Sequence, residues 1–120
     1  MMLEWNVYRQ QLKDTIGQIA RLSPDTVRGY SILSAPGSKT HHLDPKTREL
    51  IALAVAVALR CDGCITVHTD AAIKQGASKE EIAEALGVFV SINTGASLVY
   101  SARVMDAYQA HEESAVPAIK

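Results

Sequence analysis

The sequence predicts an all-α fold, a bundle of five to six short helices that associates with further copies of itself. Apolar residues recur at three- and four-residue intervals along nearly the whole chain, the period of a helix with one buried face. Proline and glycine stand where helices begin and end. The one β-branched apolar stretch, around Ile51, Val55 and Val57, is interleaved with alanine and has no second strand candidate to pair with, so no sheet is expected.

Trp5, Tyr8, Leu12, Ile16, Ile19 and Leu22 form the stripe of a first amphipathic helix. Ser23-Pro24 supplies an N-cap followed by a first-turn proline, and opens a short second helix with Val27 and Tyr30. Ala35-Pro36-Gly37-Ser38 ends it, and residues 36–43 are expected as an ordered loop holding His41 and His42. Asp44-Pro45 starts a third helix by the same cap logic. From Leu50 to Leu59 that helix is apolar on every side, the pattern of a helix buried in a core or an interface. So continuous an apolar surface exceeds what one short chain covers, which argues for a homo-oligomer. Asp62-Gly63 interrupts the run with a cysteine on each side, and a fourth helix follows to about Gly76, a fitting C′ residue. Ser78-Lys79-Glu80-Glu81 is a capping box. Ile82, Leu86 and Phe89 or Val90 make the inner stripe of a fifth helix. Asn93-Thr94-Gly95 reads as a break and restart, so that Ala96, Val99, Tyr100, Val104 and Ala107 carry a last helix, frayed from Ser114.

The 120 residues fit one domain, residues 1–120. Twelve Lys and Arg against thirteen Asp and Glu leave none of the basic surplus that binding to nucleic acid or an anionic membrane surface requires. The longest uninterrupted apolar run, Leu50 to Leu59, is too short to span a bilayer. Met1-Met2-Leu3-Glu4-Trp5 lacks a basic region followed by an apolar one, so the expected location is the cytoplasm. There, two cysteines three residues apart read as redox chemistry or half of a metal site rather than as a disulfide scaffold.

The residues that could do chemistry are Glu49, Cys61, Cys64 and His68. Near a helix N-terminus, backbone N–H groups and the macrodipole stabilise a thiolate, which favours Cys61 as the more activated sulfur. A two-residue spacer lets the sulfurs close a disulfide with little backbone movement. His68, four residues after Cys64, shares its helix face and can take up the thiol proton. If the helices on either side pivot about residue 61, Glu49 lies roughly 18 Å and His68 roughly 10 Å from the pivot. That offset keeps the pair short of direct contact unless a water, a different crossing angle or another subunit closes it. Plain buried thiols remain an alternative, as does a zinc site in which Cys61, Cys64 and His68 are joined by His41 or His42.

Glu49, eleven residues, Cys61-Asp62-Gly63-Cys64, three residues and His68 together resemble the E-x11-C-x-x-C-x3-H signature of the alkylhydroperoxidase D-like (carboxymuconolactone decarboxylase) family. The surrounding residues, about 43–105, are similar too. The resemblance implies an alkylhydroperoxidase D-like fold assembled as trimers or hexamers. It implies a thiol peroxidase or disulfide oxidoreductase active in antioxidant defence, without a bound cofactor or metal, acting on a hydroperoxide and re-reduced by a dithiol protein. Cys64 would meet the peroxide, Cys61 would resolve it, and Glu49 and His68 would relay protons. The best-known peroxidase members carry a histidine just before the second cysteine, where this chain has Gly63. The family's other branch decarboxylates a carboxylated lactone and does not depend on the cysteine pair. Carboxylate binding there would call for cations, of which Arg48, Arg60 and Lys74 are available.

Overall fold

The structure, a computed structural model, describes residues 1–35 and 37–115, and these form five helices with no strand among them. They are α1 (Trp5–Leu22), α2 (Pro24–Leu33), α3 (Pro45–Ala58), α4 (Asp62–Lys74) and α5 (Lys79–Ala115). Pro36 and the tail beyond residue 115, which belong to the expected loop and frayed end, lie outside the described residues. Ser114 and Ala115 are still helical.

Local chemistry sets most boundaries. Asp44 caps α3 by accepting from the Thr47 N–H at 2.8 Å, with Pro45 in the first turn. At the start of α5 the capping box closes both ways, the Glu81 N–H to Ser78 Oγ and the Ser78 N–H to Glu81 Oε1, each at 3.0 Å. The second Glu81 oxygen receives Lys46 Nζ at 2.7 Å, tying the first turns of α3 and α5 together. Ser23 precedes α2 without capping its backbone; its hydroxyl pairs with that of Thr26 instead. Two Schellman turns end α3 and α4. In the second, Gly76 takes the left-handed position (φ 86) while the Ala77 N–H reaches Ala72 O and the Gly76 N–H reaches Ile73 O.

The fold is built on α3. It packs against α4 and α5, and α1 packs against α2 and α4. Leu53 and Ala56 of α3 and Thr66 and Ala72 of α4 are buried at the crossing. Within one chain only one side of α3 is covered. Its opposite side, with Ile51, Val55 and Leu59, is 49–69% exposed because no element of the chain lies over it. In α1, Trp5, Tyr8 and Leu12 are half-buried, and the stripe opens to solvent from Ile16 onward.

The expectation of a break at residues 93–95 needs correction. No break occurs there, and α5 is one continuous helix of 37 residues, about 55 Å long. The polar side chains that read as a break bond back to the preceding turn instead. Thr94 Oγ1 donates to Val90 O (2.8 Å), Ser97 Oγ to Asn93 O (2.9 Å) and Ser101 Oγ to Ser97 O (2.7 Å). A single Gly95 costs such a helix only about 1 kcal/mol. The inner stripe of α5 is Ile82, Ala85, Leu86 and Phe89, all half-buried, whereas Val90 faces outward. At the same spacing the stripe continues through Asn93, Ala96 and Tyr100, yet every residue from 91 to 115 is exposed. The chain therefore extends over 69 Å with a radius of gyration of 21.4 Å, against roughly 14 Å for a compact chain of this length. By length and composition α5 could also cross a membrane, although serines, Asn93 and Thr94 interrupt its apolar run.

Candidate active site

Cys61 is at once the residue that completes the Schellman turn of α3 and the N-cap of α4. Its N–H reaches Ala56 O (3.0 Å) and the Arg60 N–H reaches Val57 O (3.1 Å), with Arg60 in the left-handed region (φ 55) that usually selects glycine. Its sulfur accepts the Cys64 N–H at 3.1 Å, as a side-chain cap does. Cys61 and Cys64 are joined in a disulfide with their Cα atoms 5.2 Å apart, inside the usual range.

One turn further along α4, His68 Nδ1 and Glu49 Oε2 are 2.7 Å apart. The offset expected from a pivot at residue 61 is closed directly, without a bridging water or a second subunit. α3 ends at Ala58, so Glu49 is nine residues and about 13 Å from the end of its helix, and His68 is six residues and about 9 Å from the start of its own. The remaining 4–5 Å is within reach of the two side chains. Glu49 also shares the α3 face of Leu53 and Ala56, four and seven residues on, which is the face buried against α4. Both partners are about one-quarter exposed. His68 Nε2 has no hydrogen-bond partner among the described residues.

An open cavity of about 500 Å³ lies along α3 and reaches α4. Ile51, Val55 and Leu59 give it an apolar wall, and Cys64 and His68 line its α4 side. Cys61 is not among the lining residues. The four residues singled out in the sequence are thus gathered on the facing sides of α3 and α4, with Cys64 and His68 turned to the open space. Arg48 and His42 also line the cavity; the sequence offered Arg48 as one of three cations for a carboxylate and His42 as a candidate zinc ligand. The signal that placed Arg48 here was present: it precedes Ala52, Val55 and Leu59 by four, seven and eleven residues, on one face of α3. No three His, Cys, Asp or Glu side chains converge to hold a metal ion among the described residues, so the zinc alternative lacks a ligand set.

Gly63 is seated against α1. A Cβ at that position would lie 2.8 Å from Leu12 Cδ2 and 3.9 Å from the Tyr8 hydroxyl. Thr66 Oγ1 donates to Trp5 O at 3.4 Å and Arg9 approaches Asp70 at 4.0 Å, so α1 is tethered along the start of α4.

The model of the carboxymuconolactone decarboxylase family matches residues 24–107, taking in α2 to most of α5. An uncharacterized protein of Haemophilus influenzae is 39% identical over 108 residues, covering 90% of this chain and 96% of its own length. A protein encoded in the cox locus of Paracoccus denitrificans is 30% identical over 90 residues, 75% of this chain and 81% of its own. The crystal structure of an apo carboxymuconolactone decarboxylase family protein from Legionella pneumophila superposes with a TM-score of 0.70 at 34% identity, covering 88% of this chain and 95% of that one. The chain belongs to the carboxymuconolactone decarboxylase family.

Proposed function

We propose that the protein is a thiol-dependent peroxidase and disulfide oxidoreductase that cycles Cys61 and Cys64 between dithiol and disulfide. The observation that carries this reading is the direct 2.7 Å bond between His68 and Glu49 beside the cavity onto which Cys64 opens. In the reduced protein His68 Nε2 takes the Cys64 proton, while Glu49 holds the ring through Nδ1 and stabilises the imidazolium. The Cys64 thiolate attacks the terminal oxygen of a hydroperoxide; the S–O bond forms, the O–O bond breaks, and the departing alkoxide takes the proton from His68 to leave as an alcohol. The Cys64 sulfenic acid condenses with the Cys61 thiol, forming the disulfide and releasing water. A dithiol reductant attacks Cys64 Sγ from the cavity and expels Cys61 as thiolate, then closes its own disulfide and frees Cys64. This sequence uses both cysteines according to their surroundings. Cys64 meets substrate and reductant, and Cys61 is the leaving thiolate, stabilised by the Cys64 N–H and the N-terminus of α4.

The reading includes a homo-oligomer. The inner stripe of α5 runs uncovered beyond Phe89. A second copy is the cover that this surface supports. Light scattering on the detergent-free protein is expected to give a mass above one chain, and Val104→Glu is expected to lower it. A detergent-free monomer would refute the assembly.

The redox reading is tested by the mass of the denatured reduced protein before and after one equivalent of hydroperoxide. The wild type is expected to lose two hydrogens, and Cys61→Ser to trap a sulfenic acid on Cys64. Undiminished peroxide consumption by Cys64→Ser would overturn the reading, and turnover of a carboxylated lactone by a variant lacking both cysteines would replace it.

A further inference from the structure

Resting on the redox reading above, we infer that the substrate is an amphiphile, an apolar hydroperoxide bearing a carboxylate that Arg48 binds. Arg48 is half-buried at the end of the cavity nearest Glu49, and its guanidinium has no hydrogen bond or ion pair within 4 Å among the described residues. Asp44, whose carboxyl feels the charge of Arg48, is engaged with the Thr47 N–H at the cap of α3. An arginine left with its donors free beside an apolar wall is a ready partner for a planar anion, which it can bind in bidentate fashion.

The loop before α3 passes close to the Arg48 side chain. Gly37 has a φ of 83, and a Cβ there would land on Arg48 Nη1 and come within 3.1 Å of Arg48 Cδ. Gly37 therefore leaves beside the loop the room that the guanidinium occupies, room that any larger residue would fill. The rest of the lining selects the other end of the ligand. Ile51, Val55 and Leu59 offer hydrocarbon along α3, which favours an apolar body over hydrogen peroxide.

The register along the helices gives a spacing. Glu49 meets His68 across an axial offset that their side chains span, and Cys64 lies four residues nearer the α3–α4 turn, so the reacting sulfur is roughly 10–12 Å further along α3 than the level of Arg48. A substrate whose carboxylate lies on Arg48 would present its hydroperoxide to Cys64 about that far along its chain, with any remaining hydrocarbon directed toward Leu59.

The test pairs a medium-chain fatty-acid hydroperoxide with its methyl ester, so that only the charge differs, and reads the rate of Cys61–Cys64 oxidation in each. The wild type is expected to prefer the acid by roughly tenfold or more, the factor of one charge-assisted hydrogen bond. The acid-to-ester ratio should fall to near one in Arg48→Met and recover in part in Arg48→Lys. Equal rates in the wild type, or a ratio that Arg48→Met leaves unchanged, would overturn the assignment. Octanoate binding to the Cys61→Ser, Cys64→Ser variant separates this from the redox reading. Binding that Arg48→Met abolishes, in a protein that no hydroperoxide oxidises, would keep the carboxylate site and discard the peroxidase. Peroxide turnover without any octanoate binding would do the reverse.

Discussion

Replacing Glu49 by Gln tests the relay at its most direct contact. The change keeps the side chain's length and its ability to accept from His68 Nδ1, and removes only the charge. With the pair at 2.7 Å and both partners about one-quarter exposed, the lost attraction is partly screened by water. A charge-assisted hydrogen bond of this kind contributes about 2 kcal/mol net. If the imidazolium exists only while the Cys64 proton is in transit, that loss falls wholly on the transition state and slows thiol oxidation roughly thirtyfold. The assay is stopped-flow oxidation of the reduced protein by excess hydroperoxide, followed by Trp5 fluorescence or by quenched thiol counting. Thermal unfolding of the same variant serves as a control, since Glu49→Gln should change it far less than it changes the rate. A variant that oxidises as fast as the wild type would refute the relay. A rate loss matched by an equal loss of stability would assign the pair a structural role instead.

Three further outcomes follow from the same geometry. Gly63→Ala sets a methyl 2.8 Å from Leu12 Cδ2; because a leucine terminus can yield, the expected cost is at the low end of overpacking, about 1 kcal/mol, seen as a lower midpoint in urea and as faster hydrogen exchange in α1. Arg60→Gly relieves a left-handed non-glycine residue (φ 55), and after the extra entropy of an unfolded glycine is subtracted the expected gain is about 0.5 kcal/mol; a lower melting temperature would show that the Arg60 side chain contributes more than its backbone costs. Lys46 and the Ser78 N–H hold Glu81 below the usual carboxylate range, and Thr47 and Lys74 act likewise on Asp44 and Asp70. These depressed groups stabilise the fold above their unfolded values and lose that contribution as pH falls through the folded ones, so stability should drop below about pH 4. Glu81→Gln should flatten that acid limb, and an unchanged slope would count against the Lys46–Glu81 tie.

What the sequence made legible was local. Asp44 before a proline, Gly76 after an apolar run and Ser78 three residues before Glu81 each carry their own capping chemistry, and each stands where that chemistry requires. The Glu49–His68 contact was not legible, because it depends on where the turn between α3 and α4 falls. That turn is set by Arg60 in a left-handed conformation, which its residue type does not announce. The continuity of α5 was hidden for a related reason. Serine and threonine mark helix ends when they cap and are tolerated mid-helix when they bond back to the preceding turn, and residue type alone does not separate the two. Which face of α3 the chain itself covers was not legible either, because hydrophobicity on all sides reports how much surface needs cover, not which body supplies it.

Gly63 ties the placement of α1 to the chemistry of the cysteine pair. A side chain at that position would occupy the space taken by Leu12 and approached by the Tyr8 hydroxyl. The bond from Thr66 to Trp5 and the approach of Arg9 to Asp70 hold α1 on the same stretch of α4. The histidine that the best-known peroxidase relatives carry here would therefore require the Leu12 side chain to move aside, and its absence goes with the close seating of α1. Only one imidazole then flanks the pair on α4, and it is the one that Glu49 already holds. On the proposed function, proton traffic at Cys64 therefore runs through His68, whose free nitrogen is on the ring that lines the cavity.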